Sequence, residues 1–134
     1  MKVLKFGGSS VGSVEAIEKV VAIIRDEVAG NECAIVLSAM QGTTDALIEA
    51  GRTAERGDDG YIEILSNIAE RHISTIKELF AEDPGLTVLD FVETTIKELE
   101  NLCEGVCLVR ELSPKTLDRI LSFGELVASR IISA

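Results

Sequence analysis

Three short stretches hold the residue types that handle small charged molecules. The first is Lys5-Phe-Gly-Gly-Ser-Ser-Val-Gly12, in which the apolar run Val3 to Phe6 carries a lysine and leads into two glycines and two hydroxyls. Glycines let backbone N–H groups approach an anion closely, and a helix opening just afterwards offers its positive end. That combination is a phosphate site, with Lys5 as its point charge and Gly7, Gly8 and Ser9 as its backbone. The second is Ser38-Ala-Met-Gln-Gly-Thr-Thr-Asp45, a small, hydroxyl-rich loop leaving a second apolar run. The third, Ser122-Phe-Gly-Glu125, sets a carboxylate in a helical stretch, where a solvated face is the commonplace reading.

Known phosphate-loop grammars do not describe the first stretch. Gly7 and Gly12 have the Walker spacing, but Ser13 stands where that loop needs lysine. Gly7-Gly8 and Gly12 also miss the Gly-x-Gly-x-x-Gly dinucleotide fingerprint. Here the lysine precedes the glycines, on the strand.

The elements that must position these residues follow from periodicity. Val14, Ile17, Val20, Val21, Ile24 and Val28 recur at helical spacing, with Ser13 as cap and Gly30-Asn31 as terminator. Cys33 to Leu37 is a continuous apolar run, expected to be a strand covered on both faces. Strand, helix, strand predicts a parallel βαβ unit, so both loops leave carboxyl ends of strands, where ligands bind in such sheets. A helix is expected from about Asp45 to Arg56, with Thr44 as its possible cap, closed by Gly57-Asp-Asp-Gly60. Two long amphipathic helices, Tyr61 to Phe80 and Thr87 to about Val109, should form a hairpin around Glu82-Asp-Pro-Gly85. The first carries a stripe of Ile62, Leu65, Ile68, Ala69, Ile73, Ile76 and Phe80; His72, beside Arg71, is expected on its surface. Ser113-Pro114 opens a further helix, which passes through Glu125 and resumes from Leu126 to Ala134.

Composition narrows the function classes. The 134 residues are 46% apolar and 27% charged, which is globular, and the net charge of −10 argues against nucleic acid or an anionic membrane as partner. No run approaches the length of a membrane span, and the N-terminus lacks a secretory signal's features. Cys33, Cys103 and Cys107 form an odd, sparse set that fits a reducing, cytoplasmic setting. Cys103 and Cys107 read as small hydrophobes, since His72 is the single histidine and zinc needs more ligands.

Taken together, Lys5-Phe-Gly-Gly-Ser-Ser-Val-Gly12, Leu37-Ser-Ala-Met-Gln-Gly-Thr-Thr-Asp45 and Ser122-Phe-Gly-Glu125 resemble the aspartate kinase branch of the amino acid kinase family. The resemblance spans the chain but only about the first third of such an enzyme. It implies a three-layer αβα fold, with helices on both faces of a mainly parallel sheet of which two strands are present. Residues 1–45 would be the βαβ unit and 46–134 a helical region, with the nucleotide half and regulatory modules absent. It also implies transfer of the γ-phosphoryl of ATP, with Mg²⁺, to the side-chain carboxylate of L-aspartate, the first step toward lysine, threonine and methionine. In that picture Lys5 meets the transferring phosphoryl, and Gly7, Gly8 and Ser9 hold the β- and γ-phosphates. Ser38 and Thr44 bind aspartate by their hydroxyls, and Glu125 takes its ammonium. Serine stands at Ser9 where the family usually has threonine, which keeps the hydroxyl. Two alternatives stay open: another kinase of the family, of acetylglutamate or uridylate type, and a non-catalytic assembly module. Two strands fall short of the roughly four to six of a usual sheet, so the chain reads as an incomplete domain that should self-associate.

Overall fold

The computed structural model describes residues 1–80 and 86–134. Two strands, β1 (Lys2–Phe6) and β2 (Cys33–Leu37), pair in parallel with Phe6 opposite Leu37 and Lys5 opposite Val36. Between them run a 3₁₀ turn at Gly8–Val11 and helix α1 (Val14–Val28). Then follow α2 (Thr43–Glu55), α3 (Tyr61–Leu79), α4 (Leu86–Val109) and α5 (Pro114–Ser133). The chain is therefore mostly helical around a small parallel sheet, an α/β arrangement with the sheet incomplete.

Local chemistry explains most boundaries. Ser13 Oγ accepts from the Ala16 amide at 3.2 Å, and the Asn31 amide donates to the Glu27 carbonyl at 3.3 Å, which closes α1. Ser113 caps α5 by accepting from the Thr116 amide at 3.1 Å, with Pro114 at its first position, and the helix continues unbroken past Glu125. The start of α2 departs from expectation. Gly42, at φ 84°, is the N-cap, and Thr44 already lies inside the helix and caps nothing. The left-handed turn at Gly42 brings the chain into the helix early, a conformation that favours glycine. The expected turn at Glu82-Asp-Pro-Gly85 lies outside the described residues.

The sheet is covered on one face. Val11, Ile17 and Val20 pack with Phe6 and Leu37 there. The opposite face, with Val3 at 63% and Val36 at 47% exposure beside Lys5, is open, so β2 is not the doubly covered strand its apolar run suggests. A short apolar run reads the same whether one face or two are covered. Among the described residues no helix is long and apolar enough to cross a membrane.

The main core lies within the helices. Leu47, Leu65, Leu99, Cys103, Ile120 and Phe123 are at its centre. A second cluster joins Ile76 of α3 to Val88 and Val92 of α4 and to Val127 and Ile131 of α5. The start of α3 thus meets the end of α4, and the end of α3 meets the start of α4, as an antiparallel pair requires. Cys103 is a core hydrophobe whose thiol burial pushes up to about 11, and all three cysteines are free.

Two expectations along α3 are corrected. Ile62 is 58% exposed, and His72 is 1% exposed instead of lying on the surface. The buried stripe is Tyr61, Leu65, Ile68, His72, Thr75 and Ile76, a helical spacing that includes the histidine. Its Nδ1 donates to the Ile68 carbonyl at 2.8 Å, so Nε2 is bare in the neutral ring, and among the described residues it has no partner. It lines a cavity of about 10 Å³ with Thr43, Thr95, Leu99 and Phe123, space for one water at most.

Burial holds the His72 pKa below its ordinary value, because charging the ring there is unfavourable. The folded state therefore prefers the neutral ring while the unfolded chain takes up a proton near its ordinary pKa. The stability contribution is complete above that value and is lost as pH falls below it. We expect the urea midpoint to decline between about pH 7 and pH 5, and the decline to be shallower in His72→Leu. Identical pH profiles for the two proteins would exclude this role.

Candidate active site at the strand ends

The parallel register places both loops at one edge. Ser38 N–H donates to the Phe6 carbonyl at 3.1 Å, continuing the ladder one residue past the strands. From that point one chain turns into Gly7-Gly8 and the other into Ser38 to Gly42.

The glycines open a short 3₁₀ turn, with Gly7 in extended backbone and Ser10 N–H bonded to the Gly7 carbonyl at 3.0 Å, and the α-helix begins at Val14 behind its expected Ser13 cap. The first N–H groups of any such turn lack partners within it. A Cβ at Gly7 would meet nothing within 4 Å, so the outer side of the turn is open to a ligand.

The two loops are packed on each other. A Cβ at Gly8 would lie 3.4 Å from the Ala39 carbonyl oxygen, and one at Gly12 would lie 3.1 Å from the Gln41 Cβ. Arg71 of α3 ties the same loops together: Nη2 donates to the Gly12 carbonyl at 3.1 Å, and Nη1 donates to the Gln41 carbonyl. The third motif arrives through Gly124. A Cβ there would lie 2.9 Å from the Ala39 Cβ and 3.3 Å from both Leu47 and Thr43. Only a bare backbone lets α5 come this close, and the next residue, Glu125, is exposed.

The three motifs named from the sequence are thus joined through backbone and small residues. Lys5, Ser9, Thr44 and Glu125 are exposed, and Ser38 is half-buried. Among the described residues, neither Lys5 nor Glu125 is in an ion pair, so both charges are free to meet a ligand. Sequence reasoning gave no role of their own to Arg71 and Gln41. Arg71 lies 59 residues from one partner and 30 from the other, and an arginine on an amphipathic helix carries no local signal of such a contact. The short residues Ala39 and Gly124 were within the quoted motifs, but their contact is visible only in three dimensions.

The sequence pattern of the amino acid kinase family matches residues 1–134. The chain belongs to that family. It is 41% identical to aspartokinase 1, chloroplastic, of Arabidopsis thaliana, over 98% of the chain and 22% of that protein. It is 30% identical to the aspartokinase of Schizosaccharomyces pombe, over 98% of the chain and 27% of the relative. The crystal structure of E. coli aspartokinase III in complex with aspartate and ADP superposes with a TM-score of 0.82 at 26% identity, covering 98% of this chain and 28% of that one. Aspartokinase III in complex with lysine and aspartate superposes with a TM-score of 0.84. The chain spans about a quarter of the length of these proteins.

The contact at Gly124 can be tested. Alanine in a helix interior gains up to about 1 kcal/mol over glycine, whereas forcing a methyl into a packed contact costs roughly 1–3 kcal/mol. The clash is with a Cβ held rigidly to backbone, so the second effect wins. Gly124→Ala should lower the thermal midpoint; an unchanged or raised midpoint would show that the α5–loop contact is loose.

Proposed function

We propose that this chain supplies the phosphoryl cradle and the aspartate-facing side of an ATP-dependent aspartate kinase. The observation that carries the reading is the packing of Gly8 and Gly12 on Gln41 and of Gly124 on Ala39, which sets three separate motifs at one strand edge. The kinship with aspartokinases supports it further.

In the proposed reaction a side-chain carboxylate oxygen of L-aspartate attacks the γ-phosphorus of ATP. The bond from that phosphorus to the bridging oxygen breaks, ADP leaves with the electron pair, and 4-phospho-L-aspartate forms without proton transfer. Such chemistry needs positioning and charge stabilisation more than covalent participation. Lys5 offsets charge on the transferring phosphoryl, while the N–H groups of Gly7, Gly8 and Ser9 hold the β- and γ-phosphates. Thr44, in the first turn of α2, and Ser38 offer hydroxyls to aspartate, and Glu125 accepts its ammonium. The open side of the turn at Gly7 fits a phosphate group. For Mg²⁺ the case differs: among the described residues no three His, Cys, Asp or Glu side chains are grouped to hold a metal. No residue of this chain is therefore assigned to it, and no step is routed through it. The product would commit aspartate to lysine, threonine and methionine, in a cytoplasmic setting that suits free cysteines.

Lys5→Ala in the full-length gene product, followed by an ATP-coupled hydroxamate assay, should lose more than about tenfold in kcat, roughly 1.4 kcal/mol. A smaller loss would remove Lys5 from the phosphoryl site. Phosphorylation of acetylglutamate but not aspartate in the same assay would move the reading to another kinase of the family.

A second reading, an assembly module without catalysis, draws on Val3 and Val36 exposed on the open face of the sheet. It expects the isolated chain to self-associate in light scattering and to become monomeric in a Val3→Lys/Val36→Lys variant. A monomeric parent chain would eliminate it.

A further inference from the structure

We propose that Arg71 is a positioning residue that sets the separation between the phosphate-binding turn and the substrate loop, and so aligns the two reactants. The inference rests on the kinase reading above and assigns a task to a residue outside its three motifs.

The guanidinium is shared between two loops. One nitrogen donates to the carbonyl of Gly12, at the end of the glycine turn, and the other to the carbonyl of Gln41, in the loop that leads to Thr44. The loops touch at that point, since a Cβ on Gly12 would be 3.1 Å from the Gln41 Cβ. Two carbonyl oxygens aimed at one place repel each other unless a donor with positive charge lies between them. Arg71 is that donor. Among the described residues no carboxylate lies within 4 Å of it, so its charge is spent on these carbonyls and not on an ion pair.

The arginine is itself held in place. Its helix buries Ile68, His72, Thr75 and Ile76 in the bundle, and Thr75 Oγ1 donates to the Arg71 carbonyl at 2.8 Å. The guanidinium therefore projects from the rigid core toward the strand edge. Planarity matters here: a fork can serve two acceptors at once, whereas an ammonium is a single point of charge on a different stem. Loops released from each other can each still hold a ligand, but the carboxylate oxygen and the phosphorus would no longer be aligned. A displacement of about 1 Å can cost on the order of a hundredfold in rate.

The test compares Arg71→Ala, Arg71→Lys and Arg71→Gln with wild type in the full-length gene product. ADP and L-aspartate are titrated separately by calorimetry, and kcat is measured with ATP and aspartate per mole of folded protein, by circular dichroism. We expect kcat to fall at least about tenfold in all three variants, with each separate dissociation constant within about threefold of wild type. The lysine variant should not rescue. Should Arg71→Ala fail to fold, the lysine and glutamine variants give the same reading. A fall smaller than tenfold in Arg71→Lys, or a loss of activity per total protein that disappears once it is expressed per mole of folded protein, overturns the proposal. So does weakening of either single-ligand affinity beyond threefold, which would mean that Arg71 shapes one site alone. Wild-type protein that does not phosphorylate aspartate overturns the kinase reading instead, and the Arg71 role with it.

Discussion

The in-register parallel pairing of β1 with β2 is the constraint on which the rest of the site depends. Because Phe6 lies opposite Leu37 and Ser38 bonds back to Phe6, the glycine turn and the hydroxyl loop leave the sheet side by side. An antiparallel pair would have sent them to opposite ends. Parallel strands require a crossover, and α1 provides it while covering one sheet face with Ile17 and Val20. The same connection that makes the pairing possible therefore also forms the core beneath the turn.

The helices act on that edge from three directions. Helix α2 starts there through the left-handed Gly42, α3 reaches it with Arg71, and α5 approaches it with Gly124. Each contact uses backbone or a very small residue at the loop, so little side-chain freedom intervenes between the bundle and the strand edge. Adjacent residues on α3 divide the work. Arg71 faces the loops while His72, turned by about 100° on a helix of 3.6 residues per turn, is buried in the bundle.

The charge distribution is uneven for so acidic a protein. Against a net charge of −10, the strand edge holds Lys5, Arg71 and the N-terminal end of α2. Glu125, next to Gly124 in sequence, is exposed.

Much of this was legible in the residues themselves. Period and caps determined α1 and α5, because Ser13 and Ser113-Pro114 act within one helical turn of themselves. The order of strand, glycine turn, helix and strand determined the parallel unit, whose strand ends bring two of the three motifs side by side. What only the tertiary structure decided are the effects of residues distant in sequence. Whether β2 is covered on one face or two depends on what packs there, not on its apolar run. The burial of His72 depends on α3 being surrounded by three other helices, although its place in the Leu65, Ile68, Ile76 stripe was a usable sign. Thr44 lost its capping role to a backbone turn two residues earlier. The union of the loops by Arg71, and the close approach of Gly124 to Ala39, have no local signature at all. Short-range chemistry is written where it acts, whereas a contact spanning 59 residues exists only once the core has brought its two ends together.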